Sequence, residues 1–202
     1  MIANGIFVAL IFMLALTTWE NATSPAWQRW TACLLVGVAL ASRANFLLLY
    51  PLFGAALWRL VEFRKAVLIS SIAILTTVAI ILPFYLHDPA GFSPIGSRNK
   101  IATMDHAMPW ASTMIITTSI LSAMAASLWL LMQDRTDSTV AFFRACTLVT
   151  LAPMLGAVLL SSWIGGQLDL GIMRHRFGLM YLFFALLGWG GWLKLNTEKL
   201  RS

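Results

Sequence analysis

An all-α, polytopic transmembrane helical bundle is the fold class this sequence predicts, and three observations carry the prediction. Of its 202 residues 59% are hydrophobic and 11% are charged, against about 45–50% and about 25% in soluble domains. The apolar residues gather into runs of which most, at about 1.5 Å per helical residue, approach the ~30 Å hydrocarbon core. The cations concentrate in short segments between those runs, so the formal net charge of +6 is explained by membrane topology and no nucleic-acid partner is expected. The chain reads as a single integral membrane domain over residues 1–202 that crosses the bilayer about six or seven times.

The first span is residues 2–19, closing on Trp19 where an interfacial aromatic belongs. It lacks a basic leader and a small-residue cleavage site, which predicts a retained helix and not a signal peptide. Residues 20–30 read as a polar connector with Pro25, interfacial Trp27 and Trp30, and an Asn21-Ala22-Thr23 sequon that matters only in a eukaryotic lumen.

Residues 31–42 and 45–57 are two apolar runs on either side of Arg43. Each would reach only roughly 18–20 Å as a helix. Either they form one long tilted helix with Arg43 near mid-membrane, or they are a pair of short helices meeting at a turn around Arg43, Ala44 and Asn45. A lone cation in lipid costs at least ~2.5 kcal/mol, so Arg43 is expected to face a wet cavity, an acid or an anionic ligand. The hairpin gives seven crossings with Met1 outside, and the single helix six with Met1 inside.

Arg59, Arg64 and Lys65 against Glu62 form the densest positive cluster in any loop, which places residues 60–65 in the cytoplasm. Residues 66–86 then lead outward, with Pro83 tolerated near the end of the helix. Residues 87–109, rich in Pro, Gly, Asp and His, are the longest polar segment and the first candidate for function. Residues 110–132 return inward, 133–138 turn, and 139–163 lead out past Arg144, expected to snorkel to the inner headgroups, and past Pro153, expected to kink the helix. A second outer loop, 164–176, ends in Arg174-His175-Arg176 before the last span, 177–193, and a basic tail inside.

No catalytic motif is complete, and neither a cofactor nor a metal site is expected. Cys33 and Cys146 lie in apolar runs and read as small buried hydrophobes. His87, Asp88, Asp105 and His106 match no ligand spacing, and loop residues of these types usually make turns. What stands out is that Arg98, Lys100, Arg174, His175 and Arg176 fall on the outer face, against the positive-inside trend, with Arg43 opening toward the same side in the hairpin reading. A phosphate or diphosphate headgroup would explain them, because guanidinium groups bind its oxygens bidentately. Pairing with Asp88, Asp105, Asp169 or lipid headgroups is the plainer alternative. Gly37 with Ala41, and Gly188, Gly190 and Gly191, are read as close-packing positions between helices.

The runs LLVGVALASRANFLLLYPLFGAALWR and EFRKAVLISSIAILTTVAIILPFYLHDPAGF resemble the C-terminal half of the GT-C superfamily of polyprenyl-phosphate-sugar-dependent glycosyltransferases. Gly37, Arg43, Pro51, Arg59, Pro83, Phe84, Asp88, Pro89 and Phe92 follow that pattern in order. Arg174-His175-Arg176-Phe177 is similar to the His-Arg-Tyr step that opens a late span there, and Asn4-Gly5 to a motif before an earlier one. The resemblance implies transfer of a sugar from a polyprenyl-phosphate-linked donor on the outer face of a bacterial inner membrane. Arg43, Arg174 and Arg176, with His175, Arg98 and Lys100, would bind the donor, and Asp88 and His106 would be acceptor contacts. Members carry a catalytic acid in a first outer loop, and no acidic outer loop precedes Arg43 here. The resemblance therefore implies a fragment or split half that needs a missing N-terminal half for catalysis. The alternative is a non-catalytic membrane subunit or lipid-linked-sugar carrier.

Overall fold

A computed structural model describes residues 2–42, 44–89, 105, 108–133, 138–167, 182 and 184–190, with the side chains of residues 2–4, 44 and 45 excepted. Helix α1 spans Ile2–Glu20, α2 spans Ala26–Ala41, a 3-10 helix spans Ala44–Leu49, α3 spans Tyr50–Leu60, α4 spans Phe63–His87, α5 spans Ala111–Met132 and α6 spans Ser138–Gly165. Residues 184–190 are helical again, and there is no strand among the described residues. The all-α expectation holds. Helices α4, α5 and α6 are long and apolar enough to cross a membrane.

The polarity of these helices is that of a membrane bundle. Helix α4 turns Val67, Leu68, Ile74, Leu75, Val78 and Leu82 outward, and α5 does the same with Met114, Ile120, Leu121, Met124 and Leu128. The buried face of α5 is made mostly of small residues, Ala111, Ser112, Ser119, Ala123, Ala126 and Ser127, with Ile115 and Leu130 among them. Lipid gives no hydrophobic drive to bury leucine, so small side chains that let backbones approach occupy the inner face. Two of their hydroxyls are satisfied within the helix: Ser119 donates to the Ile115 carbonyl at 2.6 Å and Ser127 to that of Ala123 at 2.7 Å.

The segment on either side of residue 43 is two helices and not one. Helix α2 stops at Ala41, where the Ser42 N–H turns back to the Ala39 carbonyl at 3.2 Å and the Ser42 hydroxyl donates to the same oxygen at 2.6 Å. Pro51 then sits in the first turn of α3, a position where its missing N–H costs nothing. Both arms are longer than the apolar runs suggested. Helix α2 begins at Ala26 directly after Pro25, which leaves a connector of only residues 21–25. The 3-10 helix and α3 together run from Ala44 to Leu60. Their reach is about 24 Å for α2 and about 28 Å for the second arm.

Six contacts set the directions of helices α1 to α6. Helix α1 ends beside the start of α6, where the Thr139 hydroxyl donates to the Glu20 carboxylate at 2.9 Å. Trp19 meets Trp30 edge-on at 6.0 Å, so α2 starts at that same end. Phe12 lies 5.5 Å from Phe53, Gly37 abuts Thr76, and Gly54 abuts Ser70. Depths counted at about 1.5 Å per residue agree at all of these levels only if α3 descends to the end that holds Glu20 and α4 climbs away from it. The approach of Ile115 to Gly156 makes α5 and α6 an antiparallel pair. One end of the bundle therefore gathers Glu20 to Trp30, the α3–α4 turn and Gln133. The far end gathers the end of α4, the start of α5 and the end of α6, while α2 stops about level with residue 80 of α4, roughly 10 Å short of its end.

A relay of aromatic rings ties the bundle near the first of these ends: Phe53 to Phe12, Phe12 to Phe142 at 5.2 Å, Phe142 to Phe143 at 5.4 Å, and Phe143 to Phe184 at 6.1 Å. It joins α1, α3, α6 and the helical residues 184–190. Gly188 lies so close to α6 that an added Cβ would stand 2.8 Å from the Arg144 nitrogen. The packing roles read for Gly37 and Gly188 are realised. Gly190, with open space around it, has no such role, and Gly191 lies outside the described residues. Pro83 and Pro153 both sit inside helices that continue past them.

Candidate functional site

Most residues of the candidate site fall outside the described part of the chain. Of the residues singled out for it, Arg43, Arg98, Lys100, His106, Arg174, His175 and Arg176 lie outside the described residues, while Asp88 is described. Around position 43 the backbone context is clear. Ser42 keeps right-handed helical angles of −67° and −25° as the α2 cap, and the 3-10 helix starts two residues later. Phe46 and Leu49 of that helix are buried at 2% and 0% exposure, so they anchor the start of the second arm in the core. Gly37 does the same for the first arm one turn earlier. The absence of a side chain there brings α2 onto α4, where the Thr77 hydroxyl donates to the Gly37 carbonyl at 2.9 Å.

Asp88 caps the C-terminus of α4, its N–H bonded to the Phe84 carbonyl at 3.1 Å, and its side chain is exposed. His87 and Pro89 beside it are exposed too. Asp105 is committed elsewhere. Its carboxylate accepts from the Ser112 N–H at 2.8 Å and from the Ser112 hydroxyl at 2.5 Å. That satisfies a first-turn N–H of α5 and places negative charge at the positive end of its dipole. The turn before α5 is sharp, with Trp110 in the left-handed region at φ 74°, and Asp105 is the residue that closes it. Among the described residues no three His, Cys, Asp or Glu side chains come together as a metal site would need.

The opposite end holds the described cations, and the structure sorts them in a way the sequence did not. Arg64 and Lys65 are exposed, as a topogenic cluster requires. Arg59 is not part of that surface: it is 6% exposed, on the buried face of α3 with Leu52, Ala55 and Ala56. The three- and four-residue spacing from Leu52 through Ala56 to Arg59 was the available signal. Arg29 closes the α1–α2 turn, donating to the carbonyls of Thr18 at 3.2 Å, Asn21 at 2.9 Å and Ala22 at 3.0 Å. It also lies 5.4 Å from the Trp19 ring centre.

Arg144 does not simply snorkel to headgroups. Its guanidinium lies 4.4 Å from the Trp189 ring centre and 5.9 Å from that of Trp129, a placement that offsets desolvation with two π faces. Trp129, Arg144 and Trp189 are far apart in sequence, so nothing in the chain's periodicity pairs them. Cys33 and Cys146 are free and buried. Compared with protein-family models, with characterised proteins and with solved structures, the chain matches none.

Proposed function

We propose that this chain forms the lipid-phosphate side of a GT-C-like glycosyltransferase site at the far end of the bundle. It would be an integral membrane protein of about seven segments, seated in a bacterial inner membrane and acting on a polyprenyl-phosphate-linked sugar. The observation that carries the reading is the reversal at residues 42–44. Helix α2 ends at Ala41 and a new 3-10 helix starts at Ala44, which supports reading the cation at position 43 as part of a helix junction and not of one continuous span. Glu20 and Glu62 are at the other end, too distant to neutralise it. Arg43 with Arg174 and Arg176, assisted by His175, Arg98 and Lys100, would hold the donor phosphate. As the acceptor hydroxyl oxygen bonds to the anomeric carbon, its proton passes to a carboxylate base that a partner would supply, and the carbon–oxygen bond to phosphate breaks with its electron pair leaving on the phosphate, where fixed guanidinium donors stabilise the growing charge. Asp88 and His106 would contact the acceptor.

The test is binding of a polyprenyl monophosphate by the purified protein. Arg43→Lys keeps the charge but loses the bidentate fork, and Arg43→Ala loses both, so affinity is expected to fall in that order. Loss of membrane accumulation in Arg43→Ala, with unchanged phosphate binding by the protein that survives, would make Arg43 a structural residue and remove the anchor of this reading.

One observation favours the second reading, a non-catalytic subunit or lipid-linked-sugar carrier. Asp105, one of the acids expected on the outer side, is held by Ser112 as a helix cap, which leaves it poorly disposed as a base. Under either reading the chain alone is expected to transfer no sugar. Turnover by the purified protein without a partner would refute that expectation.

A further inference from the structure

The α3–α4 turn combines features that a solvated loop does not need. Trp58 and Phe63 face each other across it, ring centres 4.7 Å apart and tilted by 55°, and both stay 45% and 55% exposed. Arg64 and Lys65 follow at once, also exposed. The acid in the turn, Glu62, reaches Lys65 at 3.9 Å with both side chains largely exposed, 79% and 64%. A pair so open is strongly screened and holds Lys65 weakly. The turn sits at the end of the bundle where α4 enters the apolar layer, so its rings lie at the depth of the glycerol and headgroup region and its cations at the depth of the phosphates.

We propose that the turn around Trp58, Phe63, Arg64 and Lys65 is a binding site for one class of molecule, the anionic glycerophospholipid of the adjoining leaflet. The aromatic pair inserts at the top of the acyl chains, and Arg64 and Lys65 take the phosphodiester from the water side. Charge complementarity selects the occupant: two exposed cations outweigh Glu62, whereas a zwitterionic headgroup offers them a phosphate already neutralised by its own amine. The site lies at the opposite end from the donor phosphate site proposed above and does not depend on it.

The experiment uses the full chain reconstituted in phosphatidylcholine vesicles, with a minor fraction of the lipid brominated on its acyl chains. That fraction is either phosphatidylcholine or phosphatidylglycerol. Trp58 emission is isolated as the difference between the native protein and Trp58→Phe. Brominated phosphatidylglycerol is expected to quench Trp58 the more strongly of the two. The preference should weaken in high salt and fall by roughly fivefold for each of Arg64→Gln and Lys65→Gln. Glu62→Gln should strengthen it, a direction that a merely disrupted turn would not produce. Equal quenching by the two lipids overturns the proposal, and so does a preference that survives the double substitution.

Discussion

Replacing Gly37 by alanine adds one methyl group at the tightest approach between α2 and α4, and the distances allow its cost to be worked out. The new Cβ would stand 2.5 Å from Thr76 Cβ, 2.6 Å from the Ala73 carbonyl oxygen and 2.9 Å from Thr76 Cγ2. Carbon atoms pack best at about 3.5–4.0 Å, so the deficit is about 1 Å or more. The Ala73 oxygen belongs to the main chain and cannot rotate away; the two helices must separate. Overpacking of this kind costs about 1–3 kcal/mol. Loosening the Thr77 bond to the Gly37 carbonyl adds about 0.6 kcal/mol, the usual worth of an interhelical hydrogen bond in a membrane. Against these stands the gain of about 1 kcal/mol from replacing a glycine inside a helix. Overpacking wins, with a net loss of about 1.6 kcal/mol, or roughly fifteenfold in the folding equilibrium. Reversible unfolding in mixed micelles measures it directly. Gly190→Ala is the control: nothing lies within 4 Å of its added Cβ, so that variant should be neutral or slightly more stable. If Gly37→Ala behaves like Gly190→Ala, the close α2–α4 approach is wrong, and with it the anchoring of the reversal at residue 43.

Arg29→Ala removes a charged donor from three carbonyls of the α1–α2 turn and should lower stability by about 2–3 kcal/mol; Arg29→Lys should recover less than half of it in the same unfolding assay, because a single ammonium cannot reproduce the fork. Asp105→Ala should fray the first turn of α5, costing about 1 kcal/mol, and is checked by faster amide exchange at Ser112, with Asp105→Asn retaining most of the protection. Arg144→Ala should loosen the helical residues 184–190 from α6 by removing the cation between Trp129 and Trp189, seen as easier proteolysis of that segment, while Gly188→Leu should do the same by collision with the α6 backbone. Alkaline phosphatase fused near Ser97 should be active and fused after Ser202 inactive; the reverse pattern would place the basic end outside and refute the sidedness used for the donor site.

The membrane class, the long spans α4, α5 and α6 and the position of the α3–α4 turn were all legible in the sequence, because bilayer thickness and the cost of charge in lipid act on composition and run length alone. The break at residue 43 was legible only as one of two alternatives. Run length could not decide between them, since a sequence shows where apolar residues stop but not where a helix stops. Helix α2 starts in the polar segment at Ala26 because Arg29 turns back onto the carbonyls that end α1, a contact across a turn that composition does not reveal. Burial of Arg59 and the capture of Arg144 by two indoles depend on which helix faces lie together. Single cations therefore looked alike in sequence, whether they lay on a surface, inside the bundle or between rings. Asp105, which the sequence left as an ordinary loop residue or a partner for an arginine, became a helix cap only once Ser112 was placed seven residues further along at the start of α5. Sequence alone showed which segments are long and apolar enough to cross a membrane, since that is a property of each segment by itself. Only the tertiary structure decided which polar groups are already engaged, since that depends on partners brought from elsewhere in the chain.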